Sequence, residues 1–172
     1  MNTNQLLEET FKEMDGDFER ALQGLTPHEL AWRPSPEANS IGFTFWHLTR
    51  AEDIWVNDFA RKVPQVFARD GWASKWGVPP GDTGAGYDKA KLTQFKNPPI
   101  EELWQYNRTV RQETLRYLKG LAAKDFDVAP PTDNPRRQGY TVGRMFGHIL
   151  CEVSQHLGHV RYIRGLQRGI NS

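Results

Sequence analysis

The stretch TVGRMFGHILCEVSQHLGHVRYIRGLQR, residues 141–168, holds no proline and spaces Val142, Met145, Ile149, Val153, Val160 and Ile163 three, four or seven residues apart. That spacing lays one apolar stripe along an amphipathic α-helix. Three other segments read the same way. Residues 100–120 set Leu103, Val110, Tyr117 and Leu121 on one side, with Gly120 close to the end. The proline-free segment IGFTFWHLTRAEDIWVNDFAR, 41–61, keeps Phe45, Leu48, Ile54, Trp55 and Phe59 at helical spacing, and Asn39-Ser40 supplies an N-cap before it. At the start of the chain, Leu7, Phe11, Met14, Phe18, Ala21, Leu22 and Leu25 predict a helix over 2–24.

The links between these segments differ in length. TPHELAWRPSPEANS, 26–40, and AKDFDVAPPTDNPRRQGY, 123–140, are proline-rich connections. Residues 63–99 hold five prolines and the stretch GVPPGDTGAGYD, and describe one long crossover with a short helical turn around 65–68. Trp72, Trp76, Tyr87 and Phe95 within it need apolar cover, either as core or as the lining of a pocket beneath the crossover. Four long helices with no credible strand pair make an all-α fold: a four-helix bundle with one long crossover connection, as a single domain over 1–172.

Composition removes several function classes. Hydrophobic residues at 38% and charged residues at 25%, with 9 Phe, 6 Trp and 5 Tyr, suit a globular chain with an aromatic core. A net charge of +1 gives no global field to collect nucleic acid or an anionic membrane, so neither is expected as a partner. The N-terminal residues carry acids throughout and no apolar run, which argues against a signal peptide or a membrane span. The single cysteine, Cys151, excludes an intramolecular disulfide and fits a reducing, cytoplasmic setting. It lies about a hundred degrees round the helix from Glu152 and is expected as a buried, inert thiol.

The chemistry sits in the last helix. Between Ile149 and Val160 the core stripe passes through 152, 153 and 156, so Glu152 and His156 occupy places that periodicity gives to apolar side chains. Four residues apart, they face the same way. An ionised carboxylate inside a bundle is costly unless it is paired or ligates a metal. His47, sharing a helix face with Phe43, Ala51 and Ile54, points inward as a third group. Two imidazoles and a carboxylate form a three-ligand set for zinc, nickel, iron or a similar divalent ion, with a coordination position left open. The competing reading pairs Glu152 with Arg50 or Arg111 and leaves both histidines to ordinary hydrogen bonds. His148, one turn before Glu152, and His159, three residues after His156, are rival ligands or surface histidines. Arg161 and Arg164 would hold a substrate anion or complement the helix dipole, and His28 in the first link matters least.

The stretch ELAWRPSPEANSIGFTFWHLTRAEDIWVNDF, followed about a hundred residues later by GHILCEVSQHLGHVRYIRG, resembles the DinB and YfiT-like superfamily of metal-dependent enzymes. The resemblance implies a four-helix bundle, commonly a homodimer. It also implies a divalent metal on a histidine of the second helix and two ligands four residues apart on the last, here His47, Glu152 and His156. A glutamate at 152, where many relatives carry histidine, resembles the branch with mycothiol-dependent maleylpyruvate isomerase and other thiol S-transferases. Gly158 matches the glycine after the last ligand, whereas His159 replaces a common glutamine. The implied chemistry is activation of a low-molecular-weight thiol co-substrate by one metal ion, zinc first with nickel or iron as alternatives, toward a small-molecule substrate. No catalytic residue beyond the ligands is named by the motif. His148, His159, Arg50, Arg164, Trp72 and Trp76 are the expected neighbours of the metal or substrate, and the 63–99 crossover the expected lid. The alternatives are a metal-dependent hydrolase and a non-catalytic, stress-related metal-binding protein.

Overall fold

Side-chain caps decide where most of the helices begin. In the computed structural model, which describes residues 1–169, helix α1 (Thr3–Leu22) opens on Asn2, whose side chain accepts the Gln5 N–H while Gln5 reaches back to the Asn2 N–H. Thr26 and Glu29 repeat that reciprocal cap on the short α2 (Pro27–Ala31). Ser40 caps α3 (Ile41–Asp53) through the Phe43 N–H. After α3 come three short helices, α4 (Val66–Arg69), α5 (Trp72–Trp76) and α6 (Lys89–Gln94), then α7 (Ile100–Lys119). A 3-10 turn at Ala123–Asp127 precedes α8 (Val142–Arg168), which Thr141 caps through the Arg144 N–H. No strand occurs among the described residues, and no helix there is long and apolar enough to cross a membrane.

The four long helices form a bundle in which α1 and α3 each pack against both α7 and α8. Phe11, Phe45, Trp46, Leu48, Leu103, Phe146 and Val160 meet at its centre and are almost wholly buried. Side chains of this size contribute about 1.5–3 kcal/mol each on full burial. The antiparallel ends of α1 and α7 are tied by Asn4, whose Nδ2 donates to the Leu118 and Leu121 carbonyls at 2.9 Å.

Three sequence expectations change. The segment 41–61 is not one α-helix: after Asp53 it widens into a π-helix over Ile54–Ala60. The wider turn brings Val56, Asn57 and Phe59 inside and leaves Ile54 and Trp55 half-buried. The change falls at Asp53, whose carboxylate accepts from Asn57 Nδ2 one turn on and from the Val66 and Phe67 N–H groups of α4. Cys151 is exposed rather than buried, because the hundred degrees between it and Glu152 carry it to the solvent face of α8. The crossover is also not a lid along its whole length. Its first part builds a small second core of Val66, Phe67, Trp72 and Ala73 on Tyr106 and Val110 of α7.

Candidate metal centre

Helices α3 and α8 run side by side, and their facing surfaces bring His47, Glu152 and His156 together. One ligand atom from each lies within 4.8 Å of the other two. Nε2 of His156 is 3.4 Å from Oε2 of Glu152, long for a hydrogen bond. That separation is the edge of a tetrahedron whose bonds are roughly 2.0–2.1 Å, the usual lengths from zinc to nitrogen and oxygen ligands. The two imidazoles meet edge to face with centroids 5.1 Å apart. Side-chain exposure of 29% for Glu152 and 13% for His156 leaves the cluster reachable from outside.

The tautomer of His47 follows from its partner. Nδ1 lies 2.5 Å from the Thr83 carbonyl, which only accepts, so Nδ1 carries the proton and Nε2 presents its lone pair. The Phe43 ring stacks parallel to the imidazole at 6.0 Å and supports its plane. The Thr83 carbonyl is held in turn by the loop around it. Asp82 accepts the Gly84 N–H and the Tyr87 hydroxyl, and the Asp82 and Pro80 carbonyls both accept from Arg50. Gly84 is required where the loop meets α3: its φ is 77°, and a Cβ there would lie 2.7 Å from ring atoms of Phe43 and Trp46.

Arg50 is wholly buried and uses every donor it has. Besides the two carbonyls, it reaches Gln65 Oε1, Asp53 Oδ2 and the Tyr106 hydroxyl, and its guanidinium lies 4.0 Å over the Phe67 ring. Burial and the neighbouring Asp53 carboxylate push the Tyr106 phenol well above its ordinary pKa, so it stays protonated and donates to Asp53. His156 behaves differently. Burial and the facing His47 lower its pKa, against the opposing pull of Glu152, which favours the neutral, ligating imidazole. Its buried Nδ1 has no hydrogen-bond partner among the described residues. Two imidazoles and one carboxylate that meets no arginine among the described residues fit a divalent ion better than a closed hydrogen-bond network.

The pairing of Glu152 with an arginine is not what the fold builds. Arg50 pairs with Asp53, and Arg111 pairs with Glu52 at 2.9 Å and Asp15 at 3.5 Å. His148 turns away from the cluster and packs against Trp55 and Tyr140. His159 is exposed, with its ring 5.5 Å from that of His156, at the edge of a cavity of about 370 Å³ shared with Pro34, Ala38 and Tyr162. Arg164 caps the end of α1 through the Ala21 and Gln23 carbonyls, and Arg161 pairs with Asp17. Trp72 and Trp76 belong to the second core, although Trp76 also lines a pocket, and His28 is exposed. The residues that sequence reasoning missed are Asp82, Thr83 and Gly84. Their contribution runs through backbone carbonyls and a positive φ, and the only trace of it was the glycine pair flanking Thr83 in GDTG.

A family model described as the DinB superfamily matches residues 10–160. Among solved structures, the crystal structure of a conserved protein from Enterococcus faecalis is similar, with a TM-score of 0.83 and 18% identity over 96% of this chain and 97% of that one. At that identity the likeness speaks for the fold alone. No curated protein matches the chain.

Proposed function

The chain belongs to the DinB superfamily, and from that premise we propose that it is a divalent-metal-dependent enzyme, with His47, Glu152 and His156 as the ligands. The observation that carries the reading is the convergence of these three donors within 4.8 Å, with the His47 tautomer set for ligation by the Thr83 carbonyl. A divalent ion held there, zinc in the first instance, supplies a Lewis acid that lowers the pKa of a thiol brought to its open position. The chain's own residues do the rest: Glu152 contributes the negative charge that offsets the ion, Thr83 and Phe43 orient His47, and the cavity beside His159 receives the small molecules. The finer reading is a transferase that presents a low-molecular-weight thiolate to an electrophile. It acts as a homodimer in the cytoplasm, and Tyr162 and Leu166, exposed one turn apart on α8, suit a covered face.

The test is metal content by elemental mass spectrometry, on the purified protein and on His156→Ala. Close to one divalent ion per chain, lost in the variant, supports the centre; no ion after incubation with zinc, nickel or iron removes it. Turnover with a panel of thiols and electrophiles then separates the transferase from a hydrolase, which would act on esters or amides without a thiol. Full metal occupancy with no turnover in either panel would leave a non-catalytic metal-binding protein.

A further inference from the structure

Two stretches of the crossover, 76–79 and 87–96, line a pocket of about 360 Å³, within the size range of small-molecule sites, whose Tyr87 and Phe95 walls pack on Phe43. We propose that it binds a small aromatic carboxylate, a ligand independent of the metal centre. Three aromatic side chains make its walls, and each is held in place before any ligand arrives. Trp76 donates its indole N–H to Glu102 at 2.8 Å, and Tyr87 donates its hydroxyl to Asp82 at 2.6 Å. Phe95 is wedged against Phe43 and Trp46, with ring centroids 5.1 and 4.9 Å away. Walls fixed in this way take a flat apolar group with little ordering cost.

The rim supplies the charge. Lys12, Lys75 and Lys89 pair with glutamates, and the other five lysines make no ion pair among the described residues. Lys91 and Lys96 line the pocket and make no ion pair among the described residues; the Lys91 ammonium instead lies 5.4 Å from the Tyr87 ring centroid. The nearby carboxylates are engaged elsewhere: Asp82 with Tyr87 and Gly84, Glu102 with Trp76 and Lys75, and Asp88 with the Lys91 N–H as a helix cap. Two lysines without a direct ion pair beside aromatic walls select an aromatic ring that carries an anionic group at one end.

The test is isothermal titration with naphthoate and with its neutral match naphthamide, accompanied by the NMR shift of the Trp76 indole N–H. Naphthoate is expected to saturate one site and to move the Trp76 signal, and naphthamide to bind about tenfold more weakly or worse. The double variant K91A/K96A, altered only at exposed side chains, is expected to weaken naphthoate to the level of naphthamide and leave naphthamide unchanged. His156→Ala is expected to retain naphthoate binding, which separates this pocket from carboxylate ligation at the metal centre. Equal binding of acid and amide, undiminished naphthoate binding by K91A/K96A, loss of binding in His156→Ala, or no binding up to the solubility limit would each overturn the proposal.

Discussion

Helix α3 carries two polar clusters within a turn of one another, and they are built on opposite plans. Around Arg50 every nitrogen donor has an acceptor, and Asp53 collects the side chains of Asn57 and Tyr106 and two backbone N–H groups. Around His47, three groups with lone pairs converge within 4.8 Å, and among the described residues Glu152 has no ion-pair partner but the His156 Nε2 at 3.4 Å. A buried polar network that is fully satisfied holds a structure, whereas converging acceptors that lack a cation form a place for one. Orphaned atoms alone do not make that distinction. Arg111 also has Nε and Nη1 without partners, but a guanidinium only donates, and its plane rests 4.1 Å from the Phe11 ring centroid.

The comparison breaks most visibly at Asp53. Asp53→Ala would leave the buried Arg50 without its carboxylate and strand the Val66 and Phe67 N–H groups, at an expected cost of about 3–5 kcal/mol in chemical denaturation. A cost near zero would mean that the Arg50 cluster is replaceable packing. Gly84→Ala tests whether the two clusters are joined. The positive φ and the contacts with Phe43 and Trp46 should cost about 1–3 kcal/mol and shift the Thr83 carbonyl off His47. Metal affinity is then expected to fall about tenfold, as when an outer hydrogen bond to a ligating histidine is lost. Normal metal binding in a destabilised Gly84→Ala would show that the loop serves the fold alone.

What the sequence made legible follows the same division. Periodicity located all four long helices, and the polar interruption at 152 and 156 located two of the three clustered donors, because both signals lie in side-chain type and spacing. His47 was reached by its helix face. The π-helical turn was hidden, since it starts where Asp53 binds α4, a contact between residues that spacing does not relate. The anchoring of His47 was hidden for a different reason: Pro80 and Thr83 act through carbonyls that any residue could have supplied, and the Asp82 carboxylate acts on Gly84 and Tyr87 within the loop, away from the histidine. Arg50, expected either as the partner of Glu152 or beside the metal or substrate, instead holds the Asp82 and Pro80 carbonyls of the loop that carries Thr83.

A third charged cluster sharpens the contrast by pH. Burial raises the Asp15 carboxyl from 3.8 to about 6, with Arg111 pulling it down and Glu52 and Glu19 pushing it up. The folded protein therefore keeps a proton on Asp15 between about pH 4 and 6 that the unfolded chain has lost. The contribution of this group to stability is greatest below that window and declines as pH rises through it. Asp15→Asn is expected to be more stable than the native protein at pH 7, by about 1 kcal/mol after allowance for its partial exposure, and to flatten the acid side of the stability profile. A less stable variant at pH 7 would mean that the 3.5 Å pair with Arg111 outweighs burial.

Glu152→Gln should have the smallest effect on stability and the most selective effect on function. Among the described residues its carboxylate makes no ion pair apart from the 3.4 Å approach to His156, and 29% of the side chain is exposed, so neutralising it removes little that the fold uses. Unfolding free energy without metal is expected to stay within about 0.5 kcal/mol of the native value, and helicity by circular dichroism to be unchanged. Metal content should nevertheless fall, because the amide keeps the shape of the side chain but removes the charge and is a much weaker ligand than a carboxylate. If instead stability fell sharply and metal content held, Glu152 would belong with Asp53 among the structural carboxylates, and the division between the two clusters on α3 would fail at its most exposed point.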